Sequence, residues 1–333
     1  MTGSHLQKEM MMRIKIGPYS IDMRAGRYLG YTPEYNSACF KDDFAAPEYY
    51  NRYGEKLDPF FISDTYRAHD PYVKSRYIYF DRYNWGLDKH VYTCKNMLKK
   101  TGTPDIMYGA FTESRTIVPE DYDTVVKHPG LLREFKYIFT YDDRVLNDVP
   151  NAVIAPFSAY YWYGKDNPEN ISDTLYESKS RNVSVLASAK ELCHMHSVRK
   201  NVALKCKKEG LADTFGTFDG GSYLDSIDET LKDYRFSVVI ENDISDYYFT
   251  EKIINCFISQ TVPIYLGARR ISEFFDPEGI IQITEADAEH IEDILRECSE
   301  ETYLGRKDAI LENYKRAQEY SSPWDYLYTR YMK

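Results

Sequence analysis

The run Phe-Ser-Val-Val-Ile-Glu at 236–241 constrains the fold of this chain more than any other stretch. A strand with one wet face alternates apolar and polar residues, and this run has almost no polar interruption. It therefore reads as a strand covered on both faces, the situation of a parallel strand inside an α/β sheet. Its neighbours agree. VSVLAS (183–188), VPIYLG (262–267) and GIIQIT (279–284) read as further strands. Ser197–Glu209 reads as a helix with Val198, Val202 and Cys206 on one stripe and Gly210 as its stop. Ile253, Ile254, Phe257 and Ile258 form one helical face, and helices are expected to fill 285–321.

The first half repeats the rhythm less cleanly. RIKIG (13–17) and RYIYFD (76–81) are candidate strands, and Asp88–Lys100 reads as a helix stopped by Gly102. The apolar runs 105–111, 136–141 and 151–157 are each bounded by turn signals. Residues 18–75 mix Pro, Gly, Tyr and charge, which predicts long loops and short helices. The polar stretch 163–182 reads as an interdomain linker. With 333 residues the chain is long enough for two domains. The expected fold is α/β: two Rossmann-like doubly wound domains facing across a cleft. The first is 10–162, the second 183–315, and the last segment, 316–333, could return to the first domain.

Composition narrows the function. A net charge of −10 argues against a nucleic-acid backbone as main partner. No apolar run is long enough to span a membrane and no signal peptide is visible, so the expectation is a cytoplasmic protein with at most peripheral membrane association. The six cysteines are scattered without metal-ligand spacing and read as reduced thiols. The 32 tyrosines are expected mainly at half-buried packing positions, with a minority available to line a sugar.

Ligands of open parallel sheets bind beyond the carboxyl ends of the strands. The stretch FSVVIENDISDYYFTEKII is such a place, a strand, a loop and a helix start. A helix beginning near Thr250 offers free backbone N–H groups and a positive dipole end to phosphate, and Lys252 adds a full charge. Beside an anion Glu251 needs another partner, and the vicinal hydroxyls of a sugar supply one. The plainer alternative is that acids favour any first helical turn and that Lys252 is only exposed. Arg199 is expected in the first turn of its helix, off the apolar stripe, where an anion would offset its conflict with the dipole; a solvated arginine is the alternative. His194 and His196 have no obvious third ligand and read as ordinary loop residues. Asp142-Asp143 could suggest a metal–diphosphate site but reads as a helix start before Arg144-Val145-Leu146.

Together these residues resemble the signature of the family 10 glycosyltransferases, the α-1,3/4-fucosyltransferases. Their pattern is an apolar strand, Glu-Asn, a short loop, Tyr-x-Thr-Glu-Lys, a helix, and a Pro-x-x-x-Gly strand. Here it is carried by Glu241-Asn242, Tyr248, Thr250-Glu251-Lys252 and Pro263 to Gly267. The resemblance extends more weakly from about Ile138 to the C-terminus, and Arg199 matches the family's phosphate-binding arginine. It implies a GT-B type fold, a donor-binding second domain and an acceptor-binding first domain. It implies GDP-fucose as donor substrate, a glycan hydroxyl as acceptor, inversion at the anomeric carbon, and no required metal or other cofactor. Asn242, Tyr248 and Glu251 would hold nucleotide and ribose, and Arg199 and Lys252 the diphosphate. Glu113, after the apolar run 106–111, corresponds in order to the family's catalytic base; pairing with Arg115 or capping a turn is its alternative, and Asp105 and Glu120 are the nearest other carboxylates. Other readings are a transferase of the same fold using another GDP- or UDP-sugar, and a catalytically silent glycan- or nucleotide-binding protein.

Overall fold

The computed structural model describes residues 11–16, 19–24, 27–33, 58–62, 78–80, 89–94, 97, 106–156 and 158–333. Strands β1 (Met11–Ile16), β2 (Tyr19–Arg24) and β3 (Arg27–Pro33) make an antiparallel sheet with β2 in the middle. A six-stranded sheet follows, built from β4 (Asp58–Ile62), β5 (Ile78–Phe80), β6 (Lys89–Thr93), β7 (Ile106–Ala110), β8 (Tyr137–Thr140) and β9 (Ala152–Ile154). Its order is β5-β4-β6-β7-β8-β9, and every pairing is parallel. A five-stranded sheet comes from β10 (Arg181–Leu186), β11 (Asp213–Phe215), β12 (Tyr234–Ile240), β13 (Val262–Leu266) and β14 (Ile281–Gln282). Its order is β11-β10-β12-β13-β14, again all parallel. In both parallel sheets the second strand lies outside the first, so the winding direction reverses beside the first strand. That reversal is the topological switch point of an open α/β sheet.

Strand β12 explains its own sequence. Phe236, Val238 and Ile240 enter one core with Val202, Cys206 and Ile291. Val239 enters another with Ile253, Ile254 and Phe257. Helix α1 (His194–Glu209) contributes to the first core and helix α2 (Glu251–Ile258) to the second. From Phe236 to Ile240 both faces are thus buried, and no position there is left for alternation. Helix α1 ends where expected, at Gly210 with φ 65°.

Several expectations for the first half are corrected. Residues 89–93 are strand β6, not the start of a helix. Apolar residues at 91, 94 and 97 also fit helical spacing, but Val91 and Tyr92 are fully buried and the strand is paired to β4 and β7. Strands also occur at 19–24, 27–33 and 58–62, where loops and short helices were expected. RIKIG does lie in a strand over residues 13–16, but an antiparallel one. The 163–182 stretch carries 3-10 turns at Pro168–Asn170 and Leu175–Ser178 and is fastened down. Asn255 Oδ1 accepts from Trp162 N at 2.6 Å and Tyr163 N at 2.9 Å. Buried Asp228 accepts from Gly164 N at 2.8 Å and Asn170 Nδ2 at 2.7 Å, and Gln260 Oε1 from Tyr176 N at 2.7 Å. Near the chain end, Tyr331 donates to Ile154 O at 3.0 Å and its ring lies 5.4 Å from that of Phe139. No helix among the described residues is long and apolar enough to cross a membrane.

Candidate active site

A cavity of about 470 Å³ opens at the switch point of the five-stranded sheet, between the carboxyl ends of β10 and β12. Its size is that of a small-ligand site. Leu186 to Ser188 and Gly216-Thr217 line it from beyond β10 and β11, Val238 to Ile240 from β12, and Glu251, Lys252 and Asn255 from α2. Gly216 is required by two constraints at once: φ is +95°, and a Cβ there would sit 2.2 Å from Ala187 O. Trp162, Asp166, Arg199 and the stretch from Tyr223 to Ile227 line it as well.

Helix α2 begins as the sequence suggested. Thr250 is its N-cap, and Glu251 N is satisfied by Ser158 O at 3.0 Å. Lys252 Nζ lies 2.9 Å from Thr250 Oγ1, 3.2 Å from Glu251 Oε1 and 3.3 Å from Glu241 Oε2. Burial pulls its pKa down, but Glu241 and Glu251 outweigh that and hold the ammonium above its ordinary range. It stays charged throughout the neutral range.

Arg199 was expected in the first turn of its helix, off the apolar stripe. It stands in the second turn, because α1 begins at His194, and it is 9% exposed. Its Nε donates to Ile240 O at 2.8 Å, its Nη2 donates to the same carbonyl, and Nη2 also donates to Asn242 Oδ1 at 2.9 Å. The guanidinium therefore ties up the end of β12 while lining the cavity. Its pKa is lowered, chiefly by burial, with Glu241 and Glu251 acting against that. Asn242 Oδ1 also contacts His196 Nε2 at 3.2 Å. Burial and then Arg199 lower the pKa of that imidazole. The two histidines lie in the first turn of α1, not in a loop, and His194 Nε2 pairs with Glu285 at 2.5 Å. Among the described residues no group of His, Cys, Asp or Glu could hold a metal ion.

The structure brings Arg199, Glu251 and Lys252 to one cavity wall, with Asn242 one hydrogen bond behind Arg199. Tyr248 does not line the cavity. It is 1% exposed, with its ring 4.9 Å from that of Tyr141. Burial raises the Tyr248 hydroxyl well above its usual range, and the charges of Glu241 and Glu113 raise it further. Glu113 is half-buried just beyond β7, and its charge acts on Tyr141 as well as Tyr248. Arg115 engages Asp142 through both Nε and Nη2 at 2.9 Å, and Asp123 at 3.2 Å. Asp142 Oδ1 also caps the helix Asp143–Asp148 by accepting from Val145 N at 2.9 Å, as the sequence suggested. Glu120 is exposed in the first turn of the helix Pro119–Val126, and Asp105 lies outside the described residues.

Sequence reasoning missed the role of Glu241. It is fully buried, accepts from Thr250 N at 2.9 Å and from Thr250 Oγ1 at 2.7 Å, and faces Lys252. The signal was present as a carboxylate ending an otherwise apolar strand, where an unpaired charge would be prohibitive. Gly267 makes room for it, since a Cβ there would lie 2.6 Å from Glu241 Cγ.

Residues 176–306 match the family model described as glycosyltransferase family 10 (fucosyltransferase) C-term. Through this stretch the chain is similar to glycosyltransferase family 10. The matched stretch contains β10 to β14 and every cavity residue from Leu186 to Cys256. The chain is 36% identical over 55 residues to the alpha-(1,3)-fucosyltransferase FucT of Helicobacter pylori, and 34% identical over 59 residues to an alpha-(1,4)-fucosyltransferase of Arabidopsis thaliana. Those alignments cover 16% and 18% of this chain but only 12% and 15% of the two relatives. Among solved structures, an alpha1,3-fucosyltransferase with GDP-fucose superposes with a TM-score of 0.47 at 16% identity, covering 83% of this chain and 86% of that one. The same figures hold for its complex with GDP.

Proposed function

We propose that this protein is an inverting glycosyltransferase of GT-B type that moves fucose from GDP-fucose to a hydroxyl of a glycan, in an α-1,3-type linkage. The observation that carries the reading is the cavity at the switch point, where Arg199, Lys252 and the start of α2 converge on one wall with Glu251 beside them. Two cations and a helix N-terminus suit a diphosphate, and a carboxylate one residue away suits ribose hydroxyls. The relatives' names supply fucose as the sugar.

In this reading the five-stranded half, 183–315, binds the donor and residues 10–162 bind the acceptor. The 163–182 stretch joins them, and 316–333 returns to the first half. The acceptor oxygen attacks the anomeric carbon as its proton passes to the Glu113 carboxylate. The bond from that carbon to the diphosphate oxygen breaks, and its electron pair leaves with GDP. Charge grows on the diphosphate as the bond breaks, so cations held in place at Arg199 and Lys252 act where transition-state stabilisation is strongest. The setting we propose is the cytoplasm, with no metal or other cofactor required.

The test is a donor panel. Purified protein is incubated with GDP-fucose, other GDP-sugars and UDP-sugars against a glycan array, with released nucleotide and product mass as readouts. GDP-fucose is expected to give product, unaffected by EDTA, and calorimetry is expected to rank GDP above UDP and ADP. Equal affinity for the three nucleotides would remove the GDP assignment, and binding without turnover would favour a silent binding protein.

A further inference from the structure

We propose that Glu241 is the positioning residue for Lys252: from the end of β12 its buried carboxylate holds the ammonium at the cavity wall, charged and ready for an anionic ligand. The inference rests on the reading that this cavity takes a nucleoside diphosphate.

The three oxygens around Lys252 Nζ differ in freedom. Thr250 Oγ1 belongs to the helix cap and is itself held by Glu241 Oε2 at 2.7 Å. Glu241 is 0% exposed, follows β12 directly, and its backbone N donates to Leu266 O at 2.8 Å. Glu251 is 20% exposed and sits on the cavity wall. An ammonium has three donors. When a phosphate oxygen arrives, one partner must yield, and Glu251 is the one with room to move. Glu241 then keeps the lysine stem in place, and Glu251 is released toward the ligand's hydroxyls. Fixing a long flexible side chain before the ligand arrives removes an ordering cost from binding.

The groups facing Lys252 are Glu241 from the end of β12, Glu251 from its own helix, and Arg199 and His196 from α1. Without the charge at 241, only Glu251 opposes burial and the repulsion of Arg199. The ammonium then loses its proton at lower pH, and the alkaline limb of activity moves down.

The experiment uses full-length Glu241→Gln, which preserves shape and removes charge. The pH dependence of Lys252 acylation, read by mass spectrometry, is expected to shift down by about one pH unit or more. The donor kcat/KM is expected to fall about 10- to 100-fold, with its alkaline limb displaced in the same direction. Glu241→Gln/Lys252→Arg carries a guanidinium that keeps its proton, and the displacement should vanish. An unshifted labelling midpoint, or a pH profile scaled down without moving, would overturn the proposal. Should Glu241→Gln fail to fold, Glu241→Gln/Lys252→Met decides. It folds if the fault was an unpaired ammonium, and its failure to fold counts against the proposal. A wild-type protein without transfer would refute the transferase reading, and the labelling midpoint would still judge Glu241.

Discussion

Beyond the ends of β7 and β8 the chain places Glu113, Asp142 and Asp143, whereas beyond β10 and β12 it places Arg199 and Lys252. The two parallel sheets share the same order over their first strands, so topology does not separate them. The side chains at their carboxyl ends do. On the acidic side, Arg115 neutralises Asp142, while Asp143 accepts from Asp246 N at 3.2 Å and faces Arg269. On the basic side, Glu241 is enclosed beneath the cations. Each end thus holds a countercharge for its own dominant sign, buried only on the basic side. In the function proposed above, two windings of one kind would serve opposite halves of a transfer, proton acceptance and stabilisation of a departing anion.

The sharpest way to break this division is Glu113→Gln. Transfer is expected to fall by roughly 10²–10⁴-fold, the range of a general base, while GDP affinity by calorimetry and the melting temperature stay at wild-type values. An active variant would leave the acidic side without its role and move the search to Asp105 and Glu120.

Next in size are the cations. Lys252→Ala is expected to lower kcat/KM by about 10²-fold and stability by about 3–5 kcal/mol, because it leaves the buried Glu241 carboxylate without its countercharge. Arg199→Ala should match it in rate and lower stability by about 1–3 kcal/mol, because Ile240 O loses its donors inside the protein. Urea unfolding measures both losses, and an Arg199→Ala as stable as wild type would contradict the tie to β12.

The smallest effect concerns Lys179, 5% exposed, whose Nζ donates to Leu231 O, Lys232 O and Thr261 Oγ1. Burial pushes its pKa down to about 7. The unfolded lysine, with its ordinary higher pKa, binds the extra proton between those values, so stability should rise with pH from about 7 toward the ordinary lysine range. Lys179→Met should flatten that slope in denaturant titrations at pH 7, 8 and 9. A slope unchanged by the substitution would show that the rise comes from elsewhere.

The basic side was legible because its signals are local. β12 announces itself as an unbroken apolar run, α1 by its stripe and Gly210, and α2 by Thr250. What stayed hidden depends on partners far along the chain. Arg199 was singled out for an anion, but its own helix says nothing of Ile240 O, 41 residues away in sequence. Residues 89–93 looked helical because their spacing fits either state and only pairing with β7 decides. The polarity of 163–182 read as an interdomain linker, and its hydrogen bonds to Asn255, Asp228 and Gln260 could not be read from the stretch itself. The tyrosines resolve toward packing: Tyr92, Tyr108, Tyr160 and Tyr265 are among the largest fully buried side chains.

Gly267 carries a consequence for sequence tolerance. A Cβ there would lie 2.4 Å from Tyr265 Oη and 2.6 Å from Glu241 Cγ. The glycine is needed for the missing volume of one methyl group, not for an unusual backbone angle. In a saturation library, alanine at 267 should therefore fail as surely as a bulkier residue, and Tyr265→Phe alone should not rescue it, because Tyr265 Cζ and Glu241 Cγ also lie 2.6 Å from the added atom. The place of a charge at the cavity wall is in this sense specified by an atom the sequence leaves out.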